Sequence, residues 1–282
     1  MPPLVKIRSE RDQMSAIERR IADFILENAH LLRDYSSQQL AAALGISQSS
    51  VVKFSQKIGF KGYPDLKYSV GAAVARNGAA EESAPAPAAA KDDFEHLAES
   101  LRLGKIAAEE ETRLLNSRAS LEQVAGMLDG AGKVFVCGLG EDGLYAREFA
   151  LRLSLLGMMT VHHTDPVLMM ATLSAVSSSD TLLVFSEHGT LPALSQISRQ
   201  FQHCHGKVVS ITRHTANPLR AHADAALVIS AHDSVPYREQ ILYRSALQHL
   251  LDLVYVLLCQ TNHGRRQQLD INLERMQHMI HS

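Results

Sequence analysis

The stretch SSQQLAAALGISQSSVVKFSQKIGF, residues 36–60, decides how the rest of the chain is read. It predicts two short helices joined by a tight turn. Ser36 stands as an N-cap with Gln39 three residues on, the spacing of a capping box. Leu40 and Leu44 supply an inward face, and Ala41, Ala42 and Ala43 let another helix approach closely. Gly45 ends this helix and permits the sharp turn, with Ile46 as a plug between the two. Ser47 caps the next helix, to about Ile58, where Val51, Phe54 and Ile58 recur at helical spacing. Small polar residues leading the second helix give the pattern of a helix-turn-helix DNA reader. Its candidate DNA contacts are Ser47, Gln48, Ser49, Ser50, Lys53 and Lys57. Gln pairs bidentately with adenine. Serine reaches a base or a phosphate, and lysine a phosphate.

Upstream, a helix is expected from Ser15 to Ala29, with Glu18 completing a second capping box. Its apolar stripe would be Ile17, Ile21, Phe24, Ile25 and Leu26. Downstream, Gly59 closes the reader, and a fourth helix is expected over 64–76 with Lys61 and Lys67 nearby. Residues 77–93, NGAAEESAPAPAAAKDD, carry no large apolar side chain and read as an Ala/Pro linker. This divides the chain into a head, 1–76, the linker, 77–93, and a body, 94–282. The net charge of -2 hides an asymmetry. Residues 1–77 hold 11 Lys+Arg and 7 Asp+Glu, a balance of +4, and the remainder holds 17 and 23, a balance of -6. A basic head on an acidic body fits a head that visits nucleic acid.

In the body, helices are expected over 94–115 and 120–128. Strands (133–137, 160–163, 181–185, 208–211 and 226–229) then alternate with helices, as a parallel sheet requires. The run 238–259 is strongly apolar and is expected in the core or at an interface between copies. A last helix is expected over 264–280. Two loops follow the carboxyl ends of strands, where open α/β sheets place ligands. One is GLGEDG, 138–143, and the other SEHGT, 186–190. Gly138, Gly140 and Gly143 let backbone N–H groups converge at a helix start, a setting for an anion. A dinucleotide is disfavoured, because His162 and His163 stand where an acidic residue would end the second strand.

The segment QQLAAALGISQSSVVKFSQKIGFKGYPDLK resembles the signature of the RpiR (MurR/HexR-like) family of bacterial transcriptional regulators. VFVCGLGEDGLYAREFALRLSLLG, DTLLVFSEHGTLPALSQ and VVSITRHTANPLRAHADAALVIS resemble successive pieces of a sugar isomerase (SIS) domain. The resemblance implies an all-α helix-turn-helix domain joined to an α/β SIS domain with a parallel five-stranded sheet flanked by helices. It also implies binding to palindromic double-stranded DNA operators as a homodimer or homotetramer, control of carbohydrate metabolism, and gating by a metabolite in the SIS domain. The effector-binding candidates are Gly138, Gly140, Glu141, Asp142, Ser186, His188, Gly189 and Thr190.

The chain departs from the family pattern in both loops. Asp142, beside Glu141, stands where the first loop usually carries Ser. Relative to SxSGxTxE in the second loop, Ser186 and Gly189 are kept. His188 replaces the second Ser, and Leu191 and Ala193 the Thr and Glu. Three readings of the effector follow: a phosphosugar, a neutral or cationic metabolite such as an amino sugar, or none. The resemblance favours the first and the carboxylates the second or third.

Isomerisation needs a base at the substrate carbon. With the loop Glu replaced, no catalytic residue is assigned and the chain is read as a regulator; a sugar-phosphate isomerase is the alternative. No cofactor or metal is expected. Cys137, Cys204 and Cys259 lack zinc spacing and read as buried free thiols. The histidines, His203 and His205 included, read as surface groups. No secretory leader or membrane span is read, so the expected location is cytoplasmic.

Overall fold

The computed structural model describes residues 3–29, 32, 35–82, 93–215, 217–233 and 235–281. Two compact units divide the chain, residues 1–100 and 101–282. In the first, α1 (Pro3–Glu10) and a single 3-10 turn (Arg11–Gln13) precede α2 (Ala16–Glu27), α3 (Ser37–Ala43), α4 (Gln48–Lys57) and α5 (Tyr63–Glu82). Both capping boxes form: Ser15 with Glu18, and Ser36 with Gln39. Ile7, Ile21, Ile25, Leu40, Val51, Phe54, Ile58 and Leu66 make one buried core. The turn between α3 and α4 passes through Gly45 at φ +59°, a conformation that costs glycine nothing.

Three sequence expectations are corrected in this unit. α1 was not anticipated, because its short apolar pattern, Val5 and Ile7, shows only once both are buried. Ile17 is 46% exposed and lies off the stripe that Ile21 and Ile25 bury. α5 runs past Arg76 to Glu82, so the first part of the expected linker is helical. Its Ala and Glu residues favour helix, and no proline intervenes before Pro85. The rest of that linker, 83–92, lies outside the described residues.

After α6 (Asp93–Leu115) and α7 (Arg118–Asp129), the second unit alternates strand and helix. The order is β1 (Val134–Gly138), α8 (Glu141–Leu155), β2 (Thr160–His162), α9 (Pro166–Thr172), β3 (Thr181–Phe185), α10 (Pro192–His203), β4 (Lys207–Arg213), α11 (Pro218–His222) and β5 (Ala225–Ile229). α12 (Pro236–Thr261) and α13 (His263–His281) follow. All pairings are parallel, and the strand order is β2-β1-β3-β4-β5.

Side chains alternate between two apolar layers. Val136, Leu183, Phe185, Val209 and Ile211 pack with α7, α8 and α12 on one face. Phe135, Cys137, Leu182, Val184 and Val208 pack with α9, α10 and α11 on the other. Burial on both faces explains why the strands read as apolar runs. α12 is long and apolar enough to cross a membrane by length and composition. It instead buries Leu242, Ala246, Leu250, Val254 and Leu258 in the first layer. On α6, Leu97 and Ile106 are exposed. The cysteines are free, but only Cys137 is fully buried.

Candidate functional site

The chain leaves β1 toward one edge of the sheet and returns to continue from β3 toward the other. Strand order therefore reverses between β1 and β3, where Gly138 and Phe185 are direct neighbours. Such a reversal opens a crevice at the carboxyl ends of the strands. The structure thus brings the two loops singled out in the sequence side by side. Gly138 is needed there. A Cβ on it would lie 2.5 Å from the carbonyl oxygen of Asp142, so only glycine lets α8 start this close to β1. Gly140, at φ +63° and ψ -130°, is the N-cap of α8 and lies in a region open to glycine alone. Gly189, at φ +63°, leaves room for Asn217, whose side chain an added Cβ would meet at 2.1 Å.

The polar side chains do not form the expected anion cradle. The Ser186 hydroxyl is buried and accepts from the Gly189 amide at 3.1 Å, bracing its own loop. Asp142 reaches across the crevice, and its Oδ2 accepts from the Glu187 amide at 2.9 Å. Burial pushes the Asp142 carboxyl up to about 6; the charges of Glu187 and Glu141 push the same way, against the amide hydrogen bond and His188. Glu141 accepts from the Tyr145 hydroxyl at 2.8 Å. His188 and Thr190 are exposed on the second loop.

Sequence reasoning missed Arg213 and the start of α12. Arg213, at the end of β4, is buried and pairs with Glu187 Oε1 at 2.6 Å and Glu239 Oε1 at 2.9 Å. It also donates to the Ala231 carbonyl at 3.0 Å and packs over the Tyr243 ring. Glu141, Asp142, Tyr145, Glu187, Gln240 and Tyr243 line a recess of about 20 Å³. An open groove of about 470 Å³ adjoins it along α6, α8 and α12, lined by Glu109, Glu148, Arg244, Ser245 and Gln248 among others, and Tyr145 borders both. Only the apolar periodicity of 238–259 was visible in the sequence; that its first turns overhang the crevice follows from packing.

Two histidines that could in principle serve as bases differ in setting. His188 is exposed, while His214 is buried with its ring edge-on to His232, centroids 5.2 Å apart. His162 is half-buried beside the Val136 carbonyl at 2.9 Å, not a free surface group. Among the described residues no group of three His, Cys, Asp or Glu is placed to hold a metal ion.

In the first unit, Ser47 caps α4 by accepting from the Ser50 amide at 3.2 Å. Gln48, Ser49 and Lys53 are exposed on the face opposite the buried Val51, Phe54 and Ile58. The Gln48 amide nitrogen donates to Ser37 Oγ at 2.9 Å, tying the two helices together at this surface. Lys57 lies in the last turn of α4 and is paired with Glu18 at 2.8 Å.

A helix-turn-helix head and a doubly wound, five-stranded domain with a crevice at its switch point define a two-domain class in which a DNA reader is coupled to a small-molecule fold. Residues 1–77 match the helix-turn-helix domain of the rpiR family, and residues 127–252 match the SIS domain. An uncharacterized HTH-type transcriptional regulator of Escherichia coli (strain K12), YfhH, is 32% identical over 99% of this chain and 97% of its own. The chain belongs to the rpiR family of helix-turn-helix transcriptional regulators and is a regulator rather than an enzyme. The fold is shared with the Vibrio vulnificus NanR protein complexed with ManNAc-6P, at 21% identity, TM-score 0.59 and 98% coverage of both chains. It is shared too with the sugar isomerase domain of an RpiR transcription factor from Sphaerobacter thermophilus, at 18% identity and TM-score 0.58, over 64% of this chain and 98% of that one.

Proposed function

We propose that this protein is a cytoplasmic transcriptional regulator of carbohydrate metabolism that binds a palindromic operator as a dimer or tetramer. In this reading α4 enters the major groove, with Gln48 and Ser49 at base edges and Lys53 on a phosphate. A metabolite in the crevice between β1 and β3 sets the affinity for DNA. One observation supports the reading above others: Gln48, Ser49 and Lys53 are exposed at the surface while the other face of α4 is buried. Genomic footprinting of the protein tests it, since bound operators report both the regulated genes and the site symmetry. Specific binding lost in Gln48→Ala and Lys53→Glu is the expected result. Turnover of a sugar phosphate by purified protein, without sequence-specific DNA binding, would overturn it.

The complex of Vibrio vulnificus NanR with ManNAc-6P makes a sugar phosphate the first effector class to consider. The side chains of this crevice oppose it. A phosphate there would face Glu141, Asp142 and Glu187, and the nearby guanidinium of Arg213 is already committed to Glu187 and Glu239.

A further inference from the structure

We propose that the crevice between β1 and β3 holds the primary ammonium group of a polyhydroxylated amine, with no phosphate required. The inference rests on the reading of this crevice as the effector site and names the chemical class of the effector. Size is the first argument. The recess between these side chains, about 20 Å³, has room for one small group such as –NH3+. The walls are the second. Glu141 and Asp142 supply carboxylate oxygens, with Glu187, paired to Arg213 through Oε1, beside them, and an ammonium has three N–H donors and no acceptor to match them. Charge-assisted hydrogen bonds of this kind are about twice as strong as neutral ones.

Tyr243 is an independent observation. It is 3% exposed, lines the same cavity, and among the described residues its hydroxyl has no hydrogen-bond partner. A hydroxyl that lines a cavity without a protein partner is completed by whatever occupies that cavity. Burial and the neighbouring Asp142 and Glu187 charges keep the phenol protonated, so it offers both a donor and an acceptor.

An anion meets the opposite situation. The Glu187 amide, which a phosphate oxygen would need, is already taken by Asp142, and the Ser186 hydroxyl is turned to Gly189. Asp142 thus plays the anion's part inside the protein and leaves its remaining lone pairs for a cation. The adjoining groove, lined by Glu109, Glu148, Ser245 and Gln248, has room and hydrogen-bonding groups for the hydroxylated body of the ligand.

The test uses the full-length protein and isothermal titration calorimetry with glucosamine, glucose, N-acetylglucosamine and glucosamine 6-phosphate. Binding of glucosamine, with no heat from glucose or N-acetylglucosamine and no gain from the phosphate, is expected. Asp142→Asn should weaken glucosamine about tenfold or more, the loss of one charge-assisted contact. Tyr243→Phe keeps the buried ring and should also weaken it. Asp142→Ser should lose the amine and gain the phosphate. Tight phosphosugar binding by the unaltered protein, no amine binding, or amine binding indifferent to both Asp142→Asn and Tyr243→Phe overturns the inference. Operator binding by the same preparation separates the two readings: if it is intact while the amine fails, only this inference falls.

Discussion

At the scale of single residues, Asp142 couples stability to pH in the unusual direction for a carboxylate. Its folded value, about 6, lies above the ordinary 3.8, because burial and two neighbouring glutamates disfavour the charge. Between those values the folded chain holds a proton that the unfolded chain has released. Stability contributed at this position is therefore full below pH 3.8, falls as pH rises toward 6, and stays low above it. The loss is on the order of 1–3 kcal/mol. Asp142→Asn should raise the Tm at pH 7.5 and leave it nearly unchanged at pH 4, as a pair of thermal melts would show. The groups that face Asp142 are Glu141 and Tyr145 on α8, Glu187 and His188 on the β3–α10 loop, Tyr243 on α12 and, through Glu187, Arg213 on β4. Gly138 makes the simpler prediction. Gly138→Ala places a methyl against backbone that cannot yield cheaply, so urea denaturation should show a loss of roughly 1–3 kcal/mol.

At the scale of elements, α4 separates stability from recognition. Ser47→Ala removes the cap and should cost about 1 kcal/mol of stability. The exposed residues can be changed without touching the core, so Gln48→Ala should abolish specific binding while circular dichroism stays the same. The two lysines of α4 should differ. Lys53 is exposed midway along α4, whereas Lys57 is in the last turn and neutralised by Glu18. Lys53→Met should weaken operator binding more than Lys57→Met in the same gel-shift series. Reading these elements from sequence succeeded where caps and periodicity were strong. It failed at α1, whose buried face is only Pro3, Val5 and Ile7, and at the end of α5, where helix-favouring residues resembled a spacer.

At the scale of the whole molecule, the basic head and acidic body predict an association with DNA that weakens steeply with salt. Each lysine in contact with a phosphate contributes roughly one unit to the log–log salt slope, so Lys53→Met should reduce the slope by about one. A palindromic operator requires at least two copies, and light scattering should give a mass of twice 31.0 kDa or more.

What the sequence determined by itself was the order of elements after α1, the reader helix and its capping, and the pair of loops at the switch point. These are local: a cap, a 3.6-residue period or an apolar run writes its own element. The stretch 36–60 and the strand–helix alternation were legible for that reason. Only the tertiary structure decided the chemistry of the crevice. Asp142, Glu187, Arg213 and Tyr243 come from α8, the β3–α10 loop, β4 and α12, and no spacing along the chain links them. Packing α12 over the carboxyl ends of the strands buries Tyr243 beside three carboxylates. Where charges are set together out of water, their sum rather than any one motif fixes which ligand they accept.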